Sequence, residues 1–407
     1  MTSEALPDDG RHFFWYLAAL GAASFALGLQ FVIYPWLVVG VLNEAPDRVG
    51  VAQMMVLLPT LFLILVGGAL SDQRHAGNWV SRLYLGYLAP LAVLLVALWQ
   101  DWLSFPLLLM VGVGFGVMNA LVQPARESLL SQIAGKNVQS FVARAAVVQF
   151  LCQSIGVMLA GQMERVSWEA LVALQLGMFV LAAVLVRRSG TMLPAAPQQR
   201  QPLSVTQVTD GLRLVWHERK LLHLMMIVSA TGFLSIGVYL VALPLLARDV
   251  YGESAAFYAT LQVLFTGGII GTNVIMARMS PLRRPGRALV GSLAVRGVLV
   301  ALVGLQLPIW GLYVAVVLWG VLSGVSMTLG RTMVHEGAPL ETRARVLSVY
   351  QLALFGAAPL GAWLCGLLIA WQGVLPSMVL VGAGTVAVAC WAWLASELWR
   401  LRIADRC

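Results

Sequence analysis

Charged side chains are scarce. Asp, Glu, Lys and Arg make up 11% of the 407 residues and hydrophobic residues 60%, whereas a soluble domain is about 25% charged. A water-soluble fold of this length could not hide so much apolar surface, because buried area grows slowly with chain size. The bilayer is the solvent such a chain requires. Cysteine is sparse too. Cys152, Cys365, Cys390 and Cys407 have neither CxxC nor metal-ligand spacing; three fall in apolar runs, where a free cysteine behaves as a small hydrophobe. His12, His75, His217, His223 and His335 are scattered with no HExxH, so no metal site is expected. There is no Walker sequence, and "TGGIIG" (266–271) has no lysine after it, so ATP is not expected to drive the protein directly. Intramembrane nucleophile–base pairs and twin aspartates are missing, which argues against an enzyme, and no cofactor is expected. Strand alternation is absent over the apolar runs, which excludes a β-barrel.

What is present is a series of runs long enough to cross a membrane, which takes about 20 residues at 1.5 Å each. They fall near 13–42, 47–70, 79–99, 102–125, 138–163, 167–187, 221–247, 254–278, 287–306, 308–330, 344–371 and 374–399. The expectation is an all-α membrane protein of twelve transmembrane helices. The first ten residues carry Glu4, Asp8 and Asp9 instead of a basic segment, so the first run reads as helix one and not as a signal peptide.

The net charge of +8 is distributed in alternate loops. Arg74 and Arg82, Arg126 and Lys136, the group Arg187 to Lys220, Arg278 to Arg287, Arg331 to Arg345 and Arg400 to Arg406 lie on one side. The intervening loops hold only Arg48, Arg165 and Arg248, beside several acids. The positive-inside rule then puts both termini in the cytoplasm. No basic stripe with aromatic platforms is evident, so nucleic acid is not an expected partner; the lipid bilayer is.

Residues 189–204, "SGTMLPAAPQQRQPLS", read as a linker. Val205, Val208, Leu212, Val215 and Trp216 at helical spacing then suggest an amphipathic helix on the membrane face. The expected domains are a six-helix bundle over 1–188, a cytoplasmic linker with that helix over 189–220, and a second six-helix bundle over 221–407. At a constant offset of 205 the halves align. Tyr34 meets Tyr239, Arg82 meets Arg287, Arg126 meets Arg331, and Gly156, Gly161 and Gly177 meet Gly361, Gly366 and Gly382; Gln30 meets Ser235 and Gln123 meets Thr328. Six-span halves of like orientation are parallel repeats, the usual build of a rocking transporter.

Twelve spans, this repeat and the charged turn "GGALSDQRHA" (67–76) together resemble the major facilitator superfamily. Its signature there is G-x-L-[AS]-D-R-x-G-R-R. Gly68, Leu70, Ser71 and Asp72 match. Gln73 replaces an arginine, Arg74 falls one position late, and the final G-R-R is missing; in the second-half turn Ala277 stands where Asp72 would be. The resemblance implies the major facilitator fold and a cytoplasmic gate of Gly68, Asp72, Arg74, Arg126, Glu127 and Arg331; the plainer reading is that these charges only fix topology. Two segments, "QPARESLLSQIAGKN" (123–137) and "RARVLSVYQLALFGAAPLG" (343–361), are similar to bacterial siderophore and drug exporters. The Gly-Pro pair usual on span five of such antiporters is absent: Val157 follows Gly156, and the proline appears only as Pro359.

In that fold, spans 1, 4, 7 and 10 line the cavity. Gln30 and Tyr34, Asn119 and Gln123, and Thr231, Ser235 and Tyr239 repeat at i+4; Ser323 and Ser326 lie three apart. Gln149 and Gln153, and Gln262, Thr266 and Asn273, make further faces. Such spacing puts side chains in one stripe. The expected substrate cavity is Gln30, Tyr34, Asn119, Gln123, Arg144, Gln149, Gln153, Ser235, Tyr239, Gln262, Thr266, Ser323 and Ser326, with interhelical hydrogen bonding as the alternative for any one of them. Arg144 and Arg296 lie deeper than the other arginines, and either could contact an anionic substrate; Arg296, nine residues into span nine and about 13 Å deep, reads instead as a side chain snorkelling to the cytoplasmic interface. None of the 18 acids lies near mid-membrane, which argues against strong binding of a cationic drug. The expected function is secondary transport of a small, amphipathic molecule by alternating access, with export as the reading, protons as the coupling ion implied by the resemblance, and a monomer in the bacterial inner membrane. An importer or lysolipid-type carrier is the alternative, and a non-transporting scaffold the rival from another class.

Overall fold

The computed structural model describes residues 9–72, 76–134, 138–190, 212–279, 282, 284–337, 343–396 and 399. Among these the chain is helical between short turns. In hydrocarbon a backbone can satisfy its own hydrogen bonds only within a helix or a closed barrel, and runs without strand alternation take the first course. The helices are α1 (Asp9–Trp36), α2 (Pro46–Asp72), α3 (Ala76–Gly86), α4 (Leu88–Trp99), α5 (Phe105–Ala134), α6 (Val138–Ala160) and α7 (Trp168–Gly190). They continue as α8 (Arg219–Thr231), α9 (Ala255–Arg278), α10 (Pro285–Val303), α11 (Ile309–Gly337), α12 (Arg343–Gly356), α13 (Ala358–Gln372) and α14 (Val374–Ala395). Ten helical stretches among the described residues are long and apolar enough to cross a membrane. The 27-residue α2 and the 23-residue α6 occupy the remaining two expected places.

Where one span contains two helices, proline explains the break. A proline lacks an N–H and crowds the carbonyl four residues before it. Pro90 lies four residues after Gly86, where α3 ends, and Pro359 follows the Gly356–Ala357 break between α12 and α13. Span seven loosens into π-helical turns from Gly232 to Ile236, Val238 to Ala242 and Leu246 to Val250, with Pro244 among them. Helix ends turn through left-handed residues at Asn43 (φ 52°), Asp101 (φ 55°) and Gly373 (φ 87°), a conformation that suits Asn, Asp and Gly. Trp99, Trp310 and Trp371 stand exposed at span ends, where indole rings suit the membrane–water boundary. Of the amphipathic segment, residues 212–217 are helical, with Val215 buried and Leu212 and Trp216 exposed; 191–211 lie outside the described residues.

Contacts divide the chain into two units: Met1–Tyr34 with Phe62–Ser204, and Pro35–Leu61 with Val205–Cys407. The C-terminal end of span one and the first half of span two thus pack with the C-terminal half. Glycine sets the closest crossings. In the first unit a Cβ on Gly28 would strike the Gln153 carbonyl, and one on Gly156 the Phe25 carbonyl, so α1 and α6 meet backbone to backbone. In the second, a Cβ on Gly361 would strike the Phe233 carbonyl and one on Gly232 the Leu354 carbonyl. Small residues allow such approach where no hydrophobic force drives helices together. Gly156 and Gly361, matched at the offset of 205, therefore share a role. Gly177 and Gly382 do not: nothing lies within 4 Å of a Cβ at Gly177, whereas one at Gly382 would sit 2.5 Å from the Ala301 nitrogen.

Candidate functional site

In the first unit the polar stripe is largely tied down. Tyr34 is buried on α1 and donates to the Leu108 carbonyl of α5 at 3.2 Å. One turn earlier, Gln30 Oε1 accepts from Gln175 Nε2 at 3.0 Å, and the same nitrogen donates to the Ala26 carbonyl at 3.0 Å. Gln175, on α7, is fully buried. The Gln30 amide nitrogen and the Gln175 amide oxygen have no described partner. Asn119 accepts from the Tyr87 hydroxyl at 2.8 Å, and the Tyr87 ring stacks on Phe179 at 4.3 Å. Gln123, Gln149 and Gln153 are half-buried without a hydrogen-bond partner among the described residues, and Arg144 is exposed on α6.

The second unit gathers its polar groups on fewer residues. Tyr239 donates to Gln262 Oε1, and Gln262 Nε2 donates to the Tyr258 hydroxyl at 2.6 Å. Thr266, one turn along α9 from Gln262, is within hydrogen-bonding reach of Tyr239. The Tyr239 ring packs on Phe265 at 4.4 Å and meets Trp319 edge-on at 6.3 Å. Trp36, from the C-terminal end of span one, stacks on Tyr258 at 6.2 Å. This is an aromatic wall with a hydrogen-bonded Tyr–Gln–Tyr chain along it. Tyr258, Gln262 and Trp319 are buried in the packed interior; the cluster joins apolar ring area to hydroxyls and an amide, the chemistry that an amphipathic molecule needs. Ser326 shares a 2.9 Å hydrogen bond with Ser292 of α10, while Ser235 and Ser323 are half-buried without a described partner.

The gate residues are only partly described. Asp72 closes α2, but its side chain, that of Gly68's neighbourhood and all of Arg74 lie outside the described set. Arg126 is half-buried, and its carbonyl accepts from Tyr16 at 3.5 Å; Glu127 and Arg331 are exposed.

Arg296 overturns an expectation. Its side chain does not snorkel: it is 2% exposed. Because α10 runs from Pro285 to Val303, Arg296 stands about 16 Å from its start and about 10 Å from its end, and its side chain is enclosed at that depth. Gln175, Tyr87, Tyr258 and Trp319 were not singled out in the sequence. A lone glutamine within the apolar run of span six was a usable signal for Gln175; the aromatics carried none, since rings are ordinary in apolar helices. A cavity of about 530 Å³ in the second unit, lined by Phe233, Leu234, Gly361, Cys365, Trp371 and Leu380, has almost wholly apolar walls and none of the stripe residues.

A sequence profile of the Major Facilitator Superfamily matches residues 16–362. The chain is 24% identical over 410 residues to the multidrug efflux pump Tap of Mycobacterium tuberculosis H37Rv, covering 97% of this chain and 95% of the pump. Among solved structures, it is similar to a bacterial homologue of the human lysosomal transporter Spinster in an inward-facing, occupied conformation (TM-score 0.75, 13% identity, 96% of this chain and 98% of the other). It is also similar to the nucleoside transporter NupG (TM-score 0.72, 13% identity, 96% and 100%).

Proposed function

Because the chain belongs to the Major Facilitator Superfamily, and is thus a membrane transporter and not an enzyme, we propose that it exports a small amphipathic molecule across the bacterial inner membrane in exchange for protons. It works by alternating access, as a monomer with both termini in the cytoplasm. The observation that carries export is the end-to-end likeness to an efflux pump, which spans both halves and not one shared motif. The aromatic wall at Tyr239, Phe265 and Trp319 supports an amphipathic substrate. The stripes containing Gln30, Tyr34, Asn119, Gln123, Gln149, Gln153, Ser235 and Ser323 contribute polar contacts. Gly68, Asp72, Arg74, Arg126, Glu127 and Arg331 form the cytoplasmic gate. Asp72 suits that task, since a carboxylate at a helix end can accept charge-assisted hydrogen bonds that break and re-form.

Everted membrane vesicles with an acidic lumen test the proposal. A fluorescent amphipathic dye should accumulate in them and leave when an ionophore collapses the gradient. Accumulation in right-side-out vesicles instead makes the protein an importer. Dye movement indifferent to the gradient removes the proton coupling. Asp72→Asn should insert normally yet slow transport at least about tenfold, the equivalent of one lost charge-assisted hydrogen bond; an unchanged rate removes the gate assignment.

A further inference from the structure

Among the described residues of its own unit, Arg296 is a cation with no counter-charge. It is 2% exposed, and its one hydrogen bond to a described residue runs from Nη2 to the Thr231 hydroxyl at 3.3 Å. Its Nε is buried without an acceptor. Both ion pairs found among the described residues lie elsewhere, at Arg48–Glu44 and Arg248–Asp249. The acids of this half whose side chains are described, Glu218, Asp249 and Glu253, stand at helix ends or in loops. A guanidinium does not shed its proton to escape burial, and an unpaired buried charge is among the costliest features a fold can carry. An intramembrane ionisable residue of this kind marks a candidate functional site.

The surroundings define the ligand it suits. Thr231 opens the Thr231–Ser235–Tyr239 face of span seven. On α10, Ser292 lies one turn before Arg296 and is bonded to Ser326 of the antiparallel α11 at 2.9 Å. One further turn along both helices places Ser323 at the level of Arg296. Gly297, next in sequence, packs on the Gly382 backbone of α14 and fixes α10 there. Among the described residues the vicinity thus offers a guanidinium edge whose Nε has no acceptor and two hydroxyls, all able to donate, with no carboxylate. We infer that Arg296, with Thr231 and Ser323, binds an anionic oxygen group, a carboxylate or sulfonate, borne by the transported molecule. The planar edge of Nε and Nη2 matches the two oxygens of such a group. The inference rests on the transport reading and narrows its substrate class to amphipathic anions.

The test uses the purified full-length protein in detergent and a matched pair of probes: a xanthene dye carrying a free carboxylate, and its uncharged methyl ester. Wild type should bind the acid more tightly. Arg296→Gln should weaken the acid at least about tenfold, the loss expected for hydrogen bonds to a charged group, and leave the ester within about twofold. Arg296→Lys, which keeps the charge without the fork, should fall between. The ligand-free Arg296→Gln protein should unfold at a higher temperature than wild type, because it no longer buries an unpaired charge; a merely structural arginine predicts the reverse. Equal binding of acid and ester by wild type, or an unchanged acid affinity in Arg296→Gln, overturns the inference and leaves export intact. Stabilisation of wild type by chloride, with no competition from the carboxylate dye, makes the site a resident inorganic-anion site and also overturns it. Normal dye binding by a protein that moves neither dye in vesicles would instead refute the transport reading.

Discussion

The two halves keep one crossing in common and differ in their chemistry. α1 meets α6 through Gly156, and span seven meets α13 through Gly361, at the same place in the repeat. Around these crossings the polar residues diverge. Tyr34 donates to a backbone carbonyl and the neighbouring polar contact is a neutral amide pair, Gln30 with Gln175. Its counterpart Tyr239 instead heads a side-chain chain through Gln262 to Tyr258, and the same half holds the uncompensated Arg296. A duplicated bundle can thus hold its scaffold contacts constant while one copy takes on charge and aromatic surface. Packing tolerates little change at the crossing, whereas a stripe residue can change whenever its partners change with it.

The strongest way to break the comparison is at the shared crossing. Gly156→Val and Gly361→Val should each abolish folded protein, since the added carbons meet main-chain oxygens that cannot turn aside; size-exclusion recovery of detergent-solubilised protein reads this. A pair that the offset matches but the packing separates should split: Gly382→Val should lower the unfolding temperature sharply, and Gly177→Val should leave it nearly unchanged. Next in size come the tyrosines. Tyr239→Phe strands a buried Gln262 oxygen and should cost about 1–3 kcal/mol, whereas Tyr34→Phe leaves a carbonyl that still sits in its helix and should cost about 1 kcal/mol or less, both read from denaturation. Smallest is Arg248→Ala. This side chain donates from Nη1 to Val39 O at 2.6 Å and Asn43 Oδ1 at 2.9 Å; its loss should speed thiol labelling of a reporter cysteine at the exposed Val41 (Val41→Cys) and leave the unfolding temperature within a degree or two.

Much of this architecture was legible in the chain. Apolar runs mark the spans because lipid admits little else, and the helix breaks at Gly86 and Gly356 could have been read from Pro90 and Pro359. The glycine match at 156 and 361 was visible, but the equal match at 177 and 382 looked no different and has no common role. Which polar residues share a cluster was less legible. A transmembrane helix is apolar toward lipid and toward its neighbours alike, so periodicity does not say which face is inward. Gln262 and Thr266 appeared as a face of α9, but nothing in the pattern joined them to Tyr239 or to Tyr258. Arg296 was misread for a related reason: depth along a helix can be counted from sequence, but what encloses a side chain at that depth cannot.

One feature of the division into units reaches beyond transport. Residues Pro35–Leu61 belong by contact with the C-terminal unit, and Gly50 there lies against Ala362 and Gly366 of α13. In chain order, however, they precede the linker by more than a hundred positions. A polypeptide severed in that linker would leave the C-terminal fragment without part of its own interior and the N-terminal fragment carrying the missing strap. Fragments produced together should therefore clasp each other as a swapped pair, while either fragment alone should be cleared by the cell's quality-control proteases.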